Sequence, residues 1–157
     1  MTLELLLEYV FYLAAIAVGL IALWFIKQKT KLPTHSELKK RLLALRETLH
    51  EFIAAGENES TSGYDFFKYS SKCMYMTNKL AYTVTLMAQK EQDGDLSGIA
   101  VTMEGIRSSL SPYRFKVKGK EDLSDLRDAL EKTDKAMASL DSILERDSAL
   151  KAKHLHY

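Results

Sequence analysis

Residues 34–52 read THSELKKRLLALRETLHEF, and this stretch decides the fold class. Thr34, followed three residues later by Glu37, has the form of a capping box, which marks the start of a helix. Beyond it, apolar residues recur at alternating spacings of four and three, which is the period of one helix face. The pattern predicts an amphipathic helix that ends at Gly56. Its apolar stripe is Leu38, Leu42, Leu45, Leu49 and Phe52.

Two further helices are predicted downstream, after a polar loop. The second helix runs from Tyr64 to Glu91 and is apolar on two faces, which is typical of a helix at the centre of a bundle. Asp95 is a candidate N-cap for the third helix, which Ser111–Pro112 brings to an end. Residues 113–120, YRFKVKGK, alternate like a strand, but no partner strand is evident, so we expect a loop.

The last helix opens at Asp122, and its apolar residues follow a heptad for about three repeats before the chain frays beyond Ser148. This stripe has two interpretations: it faces its own bundle, or it pairs with a second copy as a coiled coil. Its candidate association residues are Leu123, Leu126, Leu130, Met137, Leu140 and Leu144.

Four helices with short connections favour an all-α, up-down bundle over residues 34–151, with a flexible tail at 152–157. The chain has 157 residues. With an N-terminal anchor set aside, about 130 residues remain, enough for one domain with its own core. Cys73 is the sole cysteine, so no internal disulfide can form, which agrees with a reducing compartment.

Upstream of the bundle, residues 9–26 read YVFYLAAIAVGLIALWFI, eighteen residues without a charge. Together with the leucines just before it, this run reaches the roughly 20 residues that cross about 30 Å of hydrocarbon. The sequence therefore predicts a single transmembrane helix after a short N-terminal segment, 1–8. Ala15, Gly19 and Ala22 share one face of that helix and could let two spans pack closely.

The orientation of the span follows from its flanks. Residues 1–8 contain no Lys or Arg, whereas the juxtamembrane linker, 27–33, contains Lys27, Lys29 and Lys31. The positive-inside rule then places the N-terminus outside and the bundle in the cytoplasm, as in a bacterial inner membrane. The linker lysines would also be attracted to anionic lipid.

Charge is segregated along the chain, although its formal net value is only +1. Residues 27–50 hold seven basic and two acidic residues, and residues 121–147 hold nine acidic and four basic ones. One interpretation is that basic and acidic helices face each other. Another is that a basic loop binds an acidic partner or anionic lipid. The basic residues of that loop are Arg114, Lys116, Lys118 and Lys120.

No motif for a named chemistry is recognisable. Ser36 and Lys39 match a Ser-x-x-Lys pattern, but its companion motifs are missing. Cys73 lies on an apolar helix face and is interpreted as a core residue. We expect no catalytic, metal or cofactor site. Aromatic and methionine residues of the second helix could line a ligand cavity, although core packing is the commoner role of such residues. They are Tyr64, Tyr69, Met74, Tyr75, Met76, Tyr82 and Met87.

These features favour a membrane-anchored helical interaction or scaffolding protein, a subunit or regulator of a membrane-associated complex, with a protein partner or a second copy of itself. One alternative is a membrane-tethered sensor of a ligand or signal. Another is an effector that binds nucleic acid or anionic lipid through the 114–120 loop. Nucleic acid is the less favoured partner, because the basic patch is short and the chain near neutral.

Overall fold

The computed structural model describes residues 11–22, 32–114 and 122–154, which fall into two compact units divided after Leu32. In the first unit, residues 11–22 are helical (α1) and their side chains are exposed. Among the described residues, no helix is both long enough and apolar enough to cross a membrane. The other residues of the predicted span, 9–10 and 23–26, lie outside the described ranges.

The second unit is an all-α bundle, which confirms the all-α part of the predicted fold. In the described part of the chain its helices are α2 (His35–Glu57), α3 (Gly63–Glu91), α4 (Gly94–Leu110) and α5 (Ser124–His154), with a 3-10 turn at Ser111–Tyr113. Successive helices pack on each other, and α5 returns to pack on α2. Because the connections between α2, α3 and α4 are short, neighbouring helices run in opposite directions.

The helix boundaries follow from local capping. The capping box of Thr34 and Glu37 is present at the start of α2. The N-cap of α4 is Asp93, not Asp95 as predicted; its side chain accepts hydrogen bonds from the backbone amides of Asp95 and Leu96. Gln92 before it adopts a left-handed conformation, with φ of 52°, which lets the chain reverse direction within two residues.

The last helix differs from its prediction at both ends. It begins at Ser124, whose backbone amide donates to the side chain of Asp122, rather than at Asp122 itself. It continues helically to His154 instead of fraying after Ser148, so the boundary predicted at 151 falls inside α5.

The bundle core is formed by one face of each helix. All five residues of the α2 stripe, Leu38 to Phe52, are fully buried, as the spacing predicted. The largest buried residues from the other helices are Phe66, Met87, Leu96, Ile99, Met103, Ile106 and Tyr113.

The heptad stripe of α5 faces this same core. Leu126 and Leu140 are fully buried and Leu123 is nearly so, while Leu130, Met137 and Leu144 are partly buried. The buried leucines are therefore packing residues of one bundle rather than an exposed association face, because α5 needs its apolar side to close against α2 and α4.

Candidate functional site: the aromatic–lysine face of α3

Three tyrosines stand on the outer side of α3 and point to solvent. Tyr64, Tyr75 and Tyr82 have relative exposures of 76%, 66% and 68%. They are separated by eleven and seven residues. At 3.6 residues per turn, such spacings bring all three within about 20° of one helix face. Phe67, 44% exposed, flanks this row. The sequence had favoured core packing for these tyrosines, which is wrong for all three.

Beyond its first turn, α3 carries lysines beside the tyrosines and no carboxylate until its last residue, Glu91. Between residues 66 and 90, α3 carries Lys68, Lys72, Lys79 and Lys90, with no Asp or Glu. The ammonium nitrogen of Lys79 lies 5.9 Å from the centre of the Tyr75 ring, within the range of a cation–π contact. We call Tyr64, Phe67, Lys68, Tyr75, Lys79 and Tyr82 the aromatic–lysine face.

The opposite side of α3 fixes how this face is presented. Phe66, Cys73, Leu80 and Met87 recur every seven residues and are buried in the core. Their packing holds the rotation of the helix, so the tyrosines cannot turn inward without emptying the core. Burial raises the pKa of the Cys73 thiol to about 12, which leaves Cys73 protonated and unreactive as a nucleophile.

A hollow of about 270 Å³ lies beside the face, between α2 and α3. Ala44, Met76 and Leu80 supply apolar surface, and Tyr75 forms one wall. Two cations line the rim, and no carboxylate does; the full lining is Arg41, Ala44, Tyr75, Met76, Lys79 and Leu80. This is the nearest feature to the ligand cavity considered from the sequence, but it is open at the surface rather than enclosed by the bundle.

The basic residues of α2 are partly used within the molecule. Lys39 pairs with Asp141 at 2.5 Å and Arg46 with Asp134 at 2.6 Å, both across the α2–α5 interface. The first interpretation of the charge segregation, that basic and acidic helices face each other, is thus confirmed for these residues. All four groups are partly solvent-exposed, so each pair contributes only about 0.2–1 kcal/mol.

The basic loop begins from a fixed base at the end of the bundle where α2 and α4 terminate. The phenol of Tyr113 donates to the backbone carbonyl of Asp122 at 2.7 Å, and Ser70 donates to the carbonyl of Tyr113 at 2.7 Å. Arg114 follows directly and is exposed. Of the other predicted binding residues, Lys116, Lys118 and Lys120 in the loop, and Lys27, Lys29 and Lys31 in the linker, lie outside the described ranges.

The small-residue face of the N-terminal segment is described in part. Ala15, Gly19 and Ala22 are helical and exposed in α1, and a methyl group at Gly19 would meet nothing within 4 Å. Their role in packing two spans stays a prediction.

His35 forms a second polar cluster, at the other end of the bundle. Its Nδ1 lies 2.8 Å from Asp147 of α5 and its Nε2 lies 2.9 Å from Glu91 of α3. Burial of the ring opposes protonation, but the hydrogen bonds and charges of Asp147 and Glu91 outweigh it and raise the pKa of His35 above its ordinary 6.5. Among the described residues, no three His, Cys, Asp or Glu side chains are arranged to hold a metal ion.

Sequence reasoning missed the aromatic–lysine face, although two signals for it were present. The tyrosine spacings of eleven and seven place the rings in one row, and the acid-free run from 66 to 90 marks a cationic surface. Neither signal predicts whether the row of tyrosines is buried or exposed, because α3 is apolar on more than one side.

Comparison of the chain with known protein families, with curated proteins and with solved structures finds no match.

Proposed function

We propose that this protein is a membrane-anchored interaction or scaffolding protein, a subunit or regulator of a membrane-associated complex, whose partner docks on the aromatic–lysine face. One observation carries the proposal: three tyrosines are aligned and more than three-fifths exposed on a rigid helix. Aromatic residues are enriched at protein interfaces because they bury much area with few rotatable bonds.

The anchor in this proposal is the uncharged run of residues 9–26. Its described portion supports the idea, because residues 11–22 are helical and expose large apolar side chains to solvent, with Phe11 at 81% and Val18 at 66%. An exposed apolar helix of this kind needs lipid or protein around it. The lysines that follow favour an orientation with the bundle on the cytoplasmic side, as in a bacterial inner membrane.

Two fractionation measurements test the anchor. We expect the full-length chain to stay in the membrane pellet after alkaline carbonate extraction. We also expect activity from a reporter fused after Tyr157 when that reporter is of a kind that works in the cytoplasm, and none from a reporter that requires export. Release of the chain by carbonate, or activity of a reporter that requires export, would contradict the anchor or its orientation.

Cross-linking mass spectrometry on native membranes tests the interaction. With a lysine-reactive reagent, we expect Lys68 or Lys79 to link reproducibly to one foreign protein. The control chain carries Tyr64→Ser, Tyr75→Ser and Tyr82→Ser, which remove the rings and leave every lysine in place. Links from α3 to the foreign protein should disappear in this control, while links within the chain from Lys135 on α5 should persist. If no foreign protein links to α3, this function is wrong.

A second candidate function, the effector that binds anionic lipid or nucleic acid through residues 114–120, is favoured by the base of its loop. Tyr113 is buried and bonded at both its carbonyl and its phenol, so Arg114 emerges from a fixed point. Changing Arg114, Lys116, Lys118 and Lys120 to Gln should then abolish salt-sensitive binding to phosphatidylserine vesicles or to oligonucleotides. Binding unchanged by these four substitutions would remove this candidate.

A ligand sensor is the remaining alternative, and the hollow between α2 and α3 is its candidate binding site. A thermal-shift screen of small anions bearing an apolar group tests it, with Arg41→Gln as the variant that should lose the response. A melting temperature unmoved by every compound would count against a sensor.

A further inference from the structure

The seven-residue spacing of Tyr75 and Tyr82 on α3 matches the heptad spacing at which a docked helix packs against another helix. Tyr75 and Tyr82 are seven residues apart, two helical turns or about 10 Å, and the smaller Asn78 lies between them. Large and small residues alternating every two turns form the knobs and holes into which a neighbouring helix packs. The row from Tyr64 to Tyr82 is about 27 Å long, room for a helix of about 18 residues.

The hollow beside the row supplies an apolar anchor point. Its volume of about 270 Å³ is below the ~300–1,000 Å³ of sites that hold drug-sized ligands. Ala44, Met76 and Leu80 instead make a receptacle for an apolar side chain that projects from a docked helix. Anchor residues in such pockets dominate helix-in-groove recognition.

Charge decides which helix fits. Lys68 and Lys79 flank the tyrosines, Arg41 lies across the hollow, and α3 has no carboxylate between residues 66 and 90. Acidic side chains on the visiting helix would pair with these cations. A second copy of this chain using the same face would set lysine against lysine, so a symmetric dimer through α3 is disfavoured.

Single-stranded nucleic acid fits the rings poorly. Tyr64 and Tyr75 are about 16 Å apart along the helix axis, and Tyr75 and Tyr82 about 10 Å. Stacked bases repeat at about 3.4 Å, so successive bases would find no successive rings.

We propose that the aromatic–lysine face binds an acidic amphipathic α-helix of the partner protein, with one apolar residue of that helix seated in the hollow between α2 and α3. This inference rests on the proposed function and adds the chemistry of the partner.

The test uses the full-length chain in phosphatidylcholine nanodiscs and two fluorescein-labelled 21-residue peptides. Both peptides carry the same leucine seam at heptad positions a and d; one has Glu at the flanking e and g positions, the other Lys. Fluorescence anisotropy should show the Glu peptide binding at least about tenfold more tightly than the Lys peptide, with an affinity that falls as salt rises.

Charge reversal on α3 is the decisive variant. Lys68→Glu with Lys79→Glu should weaken the Glu peptide about tenfold or more and invert the preference. The matched control, Lys135→Glu with Lys151→Glu, makes the same charge change on α5, which does not pack on α3. It should leave the preference intact. Tyr75→Ala tests the ring separately and should weaken the Glu peptide without altering any charge.

Equal affinity for the two peptides would overturn the inference, as would an α3 reversal no more harmful than the α5 reversal. Failure of both peptides, together with Lys68- and Lys79-dependent binding to phosphatidylserine vesicles, would assign the face to lipid and also overturn it. If cross-links from α3 to a foreign protein are found in native membranes but neither peptide binds, the proposed function stands and only the acidic-helix inference is wrong.

Discussion

The two ends of the bundle are closed by different physics. At the aromatic end, where α2 terminates, Phe52, Phe66 and Tyr113 cluster with ring centres 4.8–6.4 Å apart in tilted and edge-on arrangements. At the ionic end, where α2 begins, His35 joins Glu91 and Asp147. Apolar contact is insensitive to salt and pH, whereas ion pairs respond to both.

This difference indicates which end of the bundle should keep its structure, and which should loosen, when salt or pH changes. The aromatic end excludes water and satisfies its polar groups with buried hydrogen bonds, as in Ser70 to Tyr113. The ionic end is held by groups at the surface: Arg146 of α5 also contacts Asp93 and Asp95 of α4. A change in conditions should therefore loosen the ionic end first.

The largest expected effect is loss of the aromatic cluster. Phe52→Ala removes a fully buried ring and should lower the free energy of unfolding by about 3–5 kcal/mol. Urea denaturation of the full chain in micelles measures it, and the loss should be the same at low and high salt. The control, Leu43→Ala at an exposed position of the same helix, should stay within about 0.5 kcal/mol of wild type.

A smaller effect is expected from the single hydroxyl that ties the loop base. Tyr113→Phe keeps the ring contacts but removes the hydrogen bond to the Asp122 carbonyl, at a cost of about 1 kcal/mol. The same denaturation experiment applies. Tyr64→Phe, at an exposed ring, is the matched control and should change nothing measurable; equal losses in the two variants would refute the role of the loop base.

The ionic end should show the pH dependence. The pKa of His35 is raised in the folded state, so the stabilisation from protonated His35 is fully present below its ordinary value of 6.5 and is lost as pH rises through the folded-state pKa. The melting temperature should therefore fall as pH rises from about 6.5 through the folded-state pKa of His35. His35→Gln should flatten this dependence, and His50→Gln, an exposed control on the same helix, should preserve it. A wild-type melting temperature that rises over this range would contradict a stabilising role for protonated His35.

The smallest expected effect concerns Arg146, which is solvent-exposed. Arg146→Gln removes its pairs with Asp93 and Asp95, and the melting temperature should fall slightly at low ionic strength. At about 1 M salt, where screening acts over ~3 Å, wild type and variant should melt together. A difference that persists in high salt would mean that Arg146 acts by packing rather than by charge.

Local signals in the sequence predicted the helices well. The capping box at Thr34 and Glu37 and the five-residue stripe of α2 appear in the structure as expected. Errors arose where two local solutions compete. Asp93 and Asp95 are equally good caps by residue type, and the left-handed Gln92 selects Asp93 by ending α3 just before it.

It was harder to predict which face of each helix is buried than to predict where each helix begins and ends. A heptad such as that of α5 serves equally well inside one bundle and between two copies, and only the arrangement of α2 and α4 shows that Leu126 and Leu140 are internal. In α3 both faces carry apolar residues, so periodicity alone cannot tell which is buried. The bulk of the neighbouring helices covers Phe66 and Met87 and leaves Tyr75 in solvent.

The sequence by itself determined that the chain forms helices, roughly where they begin and end, and that a long uncharged segment precedes them. Those properties depend on residues within a few turns of one another, so the patterns that specify them are visible directly in the sequence. Only the tertiary structure decided that Lys39 and Arg46 are paired internally, that His35 links three helices, and that a row of tyrosines and lysines is left facing outward. Pairing and exposure depend on which distant residues meet, and that is settled when the four helices pack together.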